Sequence, residues 1–163
     1  MDAADLAGLA RYLEWADRRV WAALAGVPAD AWQRPLASSH GSLGATVEHL
    51  AGTEWTWLRR VEGESPPAIV PPGGARDRAA LEALWPAVWA GWAAAAAALP
   101  PEARIAYRTT GGAPCVTAFG DILLHVSHHS AAYRGQVAAL QRQLGFQPAA
   151  TDLIAHLRES GRP

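Results

Sequence analysis

Cysteine is nearly absent from this chain: Cys115 is the single example in 163 residues. A lone thiol closes no internal disulfide, so the fold needs no oxidising compartment. Long apolar runs are missing too. The longest, around Val88 to Leu99, is mostly alanine and too short to span a bilayer. Charge of one sign is not in excess either; the net charge is −1, which removes the electrostatic reason to expect nucleic acid or an anionic membrane as partner. The start, M-D-A-A-D-L, has no basic segment followed by an apolar run, so no secretory signal is read there. No G-x-S-x-G elbow and no phosphate-binding loop are present; Gly73-Gly74 and Gly111-Gly112 read as turn glycines. Cys115 follows Pro114 in a hairpin-like stretch and reads as a small buried residue rather than a nucleophile. These absences predict a soluble, cytoplasmic protein with no nucleic-acid or membrane partner.

What is present is apolar mass in helical register. Half the residues are hydrophobic and eight are tryptophan. Tryptophan brings large apolar area, so most of the eight should fill the core, with a minority left for a pocket or a dimer interface. The spacing predicts a first helix over residues 3–25, stopped by Gly26-Val27-Pro28, and a short helical turn at 29–32. A second helix runs from about Ser42 to Glu62. The segment 63–75 carries four prolines and three glycines, and reads as a long surface connection, so the helices it joins should not be plain antiparallel neighbours. A third helix spans about 77–99, with Pro86 expected to kink or divide it. Residues 104–118 change to two β-prone segments around Gly111-Gly112, a hairpin signal. Thr117 is the expected cap of a fourth helix reaching Leu144, closed by Gly145. A last short helix follows Pro148, with Thr151, Asp152, Leu153, Ile154 and Leu157 as its cap and core residues. The expected fold is all-α, one domain over 1–163: a four-helix bundle with a long crossover, a β-hairpin before the fourth helix and a short C-terminal helix.

The chemistry concentrates in D-I-L-L-H-V-S-H-H-S-A-A-Y-R-G-Q, residues 121–136. On a helix, residues four apart stack, so His125, His129 and Tyr133 share a face, while His128 points about 100° away from His129. An i, i+4 histidine pair can hold a divalent metal, although that spacing alone is a weak signal. His49, flanked on the second helix by Ala45, Thr46, Gly52, Thr53 and Thr56, is the expected further ligand from a facing helix. Imidazole favours Zn, Ni, Cu or Fe over Mg or Ca. His40 and His156 read as surface residues.

Several stretches together resemble the DinB/YfiT-like superfamily of bacterial metal-binding four-helix bundles. They are R-Y-L-E-W-A-D-R-R-V-W-A-A-L in the first helix, S-S-H-G-S-L-G-A-T-V-E-H-L-A-G-T-E-W-T-W-L-R-R in the second, H-V-S-H-H-S-A-A-Y-R-G-Q in the fourth, and T-D-L-I near the end. The resemblance covers nearly the whole length. It implies a bundle, often dimeric, whose metal is held by three histidines: one matches His49, one matches His129, and the third precedes R-G-Q. Tyr133 stands at that third position. A neutral phenol is a poor zinc ligand at pH 7 because its reference pKa is about 10. His125, one turn back, is the alternative, with Tyr133 as a weak ligand or a donor to bound water. Asp121 and Glu48 are candidate partners for the imidazole N–H groups. Arg134 would pair with a substrate carboxylate or with an acidic neighbour. Two functions follow. One is a zinc- or nickel-dependent enzyme on a small molecule: a transferase or isomerase using a low-molecular-weight thiol, or a hydrolase. The other is a metal-free binding or dimerisation module.

Overall fold

A computed structural model describes residues 1–69 and 77–161. Its elements are α1 (Ala3–Leu24), α2 (Ala29–Gln33), α3 (Leu43–Val61), α4 (Arg78–Ala98), β1 (Arg104–Arg108), β2 (Pro114–Ala118), α5 (Phe119–Gln143) and α6 (Leu153–Glu159). The all-α expectation holds, with the hairpin and the short final helix where the sequence places them. Helix starts are set by local hydrogen bonds. Asp2 and Asp5 exchange side-chain-to-backbone bonds at 2.9 Å each way, a reciprocal cap on the free N–H groups of α1. Ser42 Oγ accepts from the Ala45 N–H at 3.1 Å, and Asp77 from the Ala79 N–H at 2.9 Å. Gly145 closes α5 at φ 84°, a left-handed position that costs glycine nothing.

Helix α1 packs on α4 and α5, and α3 packs on α4 and α5. In cross-section α1 thus faces α3 across the bundle, and α4 faces α5. The links that cross the bundle are therefore 25–42, which carries α2, and 99–118, which carries the hairpin. This corrects the reading of the proline-rich link: the helices it joins, α3 and α4, are neighbours. Their approach is close because Gly91 has no side chain; a Cβ there would strike the Leu58 side chain. Gly44 likewise admits the Trp32 ring from α2. Residues 70–76, which include Gly73-Gly74, lie outside the described residues.

The core joins all four long helices in one cluster, including Leu13, Leu50, Leu58, Trp85, Trp92, Phe119 and Val126. Trp32, Trp85, Trp89 and Trp92 are buried and Trp21, Trp55 and Trp57 are partly buried against the same core, so most of the tryptophans fill or flank the core as expected. Of the two alternatives read for Pro86, division does not occur: α4 runs unbroken through it, and the residue is exposed. Two local expectations fail. Thr117 does not cap α5, since it lies in β2 and its hydroxyl bonds Tyr107 Oη at 3.2 Å. In α6, Leu153 and Ile154 stay exposed and His156 is the buried residue, against Tyr12 and Trp15, so His156 is not a surface histidine.

Candidate functional site

The site forms where α3 and α5 face each other. Each brings polar residues on a helical repeat. On α3, His49, Thr53, Thr56 and Arg60 follow one stripe. On α5, His129 and Tyr133 are one turn apart. The ring centroids of His49 and His129 are 5.4 Å apart, those of His49 and Tyr133 4.4 Å, and those of His129 and Tyr133 4.5 Å. Two distant stretches of sequence thus meet at three aromatic rings.

His40 joins them, half-buried, which corrects its reading as a surface residue. It comes from the loop before α3, stacks on His49 at 4.3 Å between centroids, and places Nε2 3.3 Å from Tyr133 Oη. The positive φ of Gly41, 78°, turns the chain just after it. An S-S-H-G-S turn held by Gly41 N–H bonding to Ser38 is the signal that was available.

His125 is carried away. Successive i+4 steps overshoot a full turn by about 40° each, so His125 and Tyr133 differ by two such steps. His125 is exposed, lies 6.0 Å from His129, and sets its ring against the Trp57 edge at 5.2 Å. The ring contacts of His49 are with His40, His129 and Tyr133 instead. Glu48 lines a shallow depression of 220 Å³ with His40, Ala45, His49 and Ile69. Asp121 is exposed in the first turn of α5. Among the described residues neither carboxylate hydrogen-bonds an imidazole.

Burial keeps the imidazoles neutral. It lowers the pKa of His49, with His40 adding to the shift. It lowers His129 to about 4, with His49, His125 and His40 contributing. His125, exposed as a residue but with its ring partly covered by Trp57, is also lowered, by that partial desolvation and then by His128 and Arg60. Neutral imidazole is the form that donates a lone pair to a metal. His129 Nδ1 is buried without a hydrogen-bond partner, and Thr53 Oγ1 stands 3.4 Å from His49 Nε2.

Behind the rings lies a buried polar network. Arg134 is not at the site surface; it is 2 % exposed, bonds Asp17 Oδ1 at 3.0 Å and donates to Tyr12 Oη at 3.1 Å. The acidic-neighbour alternative is therefore the one realised. Tyr12 in turn donates to the Thr151 carbonyl at 2.9 Å. Glu54 accepts from Ser130 Oγ at 2.6 Å and Trp85 Nε1 at 3.2 Å. Burial, then the nearby Asp17 charge, raises Glu54 well above the carboxylate range. Asp17 is raised by burial but opposed by Arg134. Burial works against the Arg134 charge as well, yet Asp17 outweighs it and holds the pKa up. Burial and the Asp17 charge thus favour a proton on Glu54, while Arg134 favours the charged form of Asp17. Ser130 follows His129, and Thr53 precedes Glu54, so the network braces both helices directly behind the imidazoles.

The sequence profile of the DinB family matches residues 2–161. The chain belongs to the DinB family. No curated protein matches it. This DinB-family protein carries His49 on α3 and His129 on α5, with Tyr133 one turn beyond His129. Among the described residues no three of His, Cys, Asp and Glu stand ready to hold a metal ion. His40 is stacked face to face on His49, with 27° between the ring planes, and stacked rings do not aim at one point. What the donor set does supply is the two imidazoles of His49 and His129, with His129 Nδ1 unpartnered among the described residues; imidazole nitrogen suits a metal of borderline softness.

Proposed function

We propose that this DinB-family protein is a metal-dependent enzyme acting on a small molecule, with His49 and His129 as nitrogen ligands of a divalent zinc or nickel ion. The observation that carries this reading is the convergence of those two neutral imidazoles from separate helices, 5.4 Å apart by ring centroid, with His129 Nδ1 buried and unpartnered. Such an ion would lower the pKa of a bound water or thiol and so supply a nucleophile at neutral pH. The remaining work falls to the chain. Tyr133 Oη and His40 Nε2, 3.3 Å apart, share a proton and can pass it to or from a reacting group. The depression beside His40, Glu48 and His49 admits the substrate. The chemistry we favour is thiol-dependent S-transfer with a low-molecular-weight thiol, or hydrolysis, in a cytoplasmic homodimer.

Metal analysis of the purified protein tests this. Near-stoichiometric zinc or nickel is expected. It should be lost in His49→Ala and His129→Ala and kept in His125→Ala, with circular dichroism showing each variant folded. Sedimentation equilibrium checks the dimer. A second reading rests on the sequence resemblance, which implies a third histidine where this chain has Tyr133, and on the absence of a ready group of three metal-binding side chains among the described residues. In that reading the bundle is a metal-free binding or dimerisation module. Wild-type protein free of metal after growth with added zinc or nickel would establish it and end the first.

A further inference from the structure

Arg60 is the one guanidinium of this fold that is buried and left without an anion among the described residues. It is 5 % exposed. Its Nε has no hydrogen-bond partner, and no carboxylate pairs with it. Its neighbour Arg59 takes the nearby acids, Glu62 and Glu64. Arg60 instead lies over the Trp57 ring at 4.5 Å and the Tyr107 ring at 5.3 Å. Burial lowers its pKa, and Tyr107 and Cys115 are its electrostatic partners. An uncompensated buried charge is costly, and two aromatic faces offset only part of that cost. One turn back on α3, Thr56 Oγ1 is likewise buried without a partner. Beside these groups is a depression of 440 Å³ walled by Gly63, Ser65, Tyr107, Arg108, Cys115 and Val116. Arg60 reaches it through the shared Tyr107 ring; among the described residues its lining holds one arginine, Arg108, and the Ser65 hydroxyl, which accepts from the Arg108 N–H at 2.9 Å, but no acid.

We propose that Arg60 anchors an oxyanion subsite where α3 meets the hairpin, receiving a carboxylate or phosphate group of a small molecule. Guanidinium presents paired donors matched to such groups, and aromatic packing on its faces leaves its edge as the binding surface. The Tyr107 ring is shared between Arg60 and the depression. Arg60 lies eleven residues from His49, about 16 Å along the helix axis, so the subsite is distinct from the imidazole cluster and does not depend on a metal there.

The test follows the Arg60 Nε–Hε resonance in the purified protein during titration with inorganic phosphate and, separately, acetate, at constant ionic strength against chloride. A saturable shift and a rise in Tm, beyond those in chloride, are expected with at least one oxyanion; the one saturating at lower concentration identifies the group. Affinity should fall about tenfold or more in Arg60→Gln and less in Arg60→Lys. The same titration in His49→Ala should be unchanged, which separates this outcome from any failure of the metal reading. Shifts no larger than in chloride would overturn the proposal, as would undiminished binding in Arg60→Gln. Should that variant not fold, the wild-type resonance and Arg60→Lys decide.

Discussion

Tyr133 is where one residue decides most about the site. It makes ring contacts with His40, His49 and His129, so it stands against both ligands of the proposed metal. Tyr133→His should therefore raise zinc affinity about tenfold or more, near 1.4 kcal/mol, as read by chelator competition. His129 supplies a second measurable effect. Its folded pKa of about 4 lies below the ordinary 6.5. A lowered pKa contributes stability that is present above 6.5 and is lost as pH falls toward 4. Urea midpoints of metal-free protein should drop over that window, and drop less in His129→Gln. The sequence made His49, His129 and Tyr133 legible because each sits in a helical repeat. His40 was not legible, because a loop residue reaches its neighbours by a turn that no periodicity encodes.

At the scale of elements, α1 and α5 are joined by charge inside the core. Asp17 and Arg134 are 0 % and 1 % exposed in their side chains and 3.0 Å apart. Removing one partner strands a buried charge, so Arg134→Met should cost about 3–5 kcal/mol in urea unfolding. Asp17→Leu combined with Arg134→Met should recover much of that loss. Helices α3 and α4 are joined by shape instead. Gly91→Ala forces the buried Leu58 side chain to move, an overpacking expected to cost about 1–3 kcal/mol, again from urea midpoints. Helix boundaries were readable from caps and stops. The pairing of Asp17 with Arg134 was not, because a polar residue between apolar positions looks the same whether it meets solvent or a buried partner 117 residues away.

For the whole molecule, no helix among the described residues is long and apolar enough to cross a membrane, and α3 contributes to both candidate sites, facing α5 at the imidazoles and the hairpin at Arg60. The bundle and its hairpin followed from the sequence alone, because helix and turn formation are local: repeats of 3.6 residues, capping side chains and glycines at positive φ act within a few positions. The chain by itself also determined that histidines would lie on two separate helices. Only the tertiary structure decided which rings meet. It put α3 beside both α4 and α5, drew His40 onto His49, turned His125 outward, and left Arg60 unpaired between Trp57 and Tyr107. Those outcomes depend on how helices rotate and approach as their apolar faces pack, and on small residues such as Gly44 and Gly91 that set the distance. That information is spread over the whole core and resides in no single stretch.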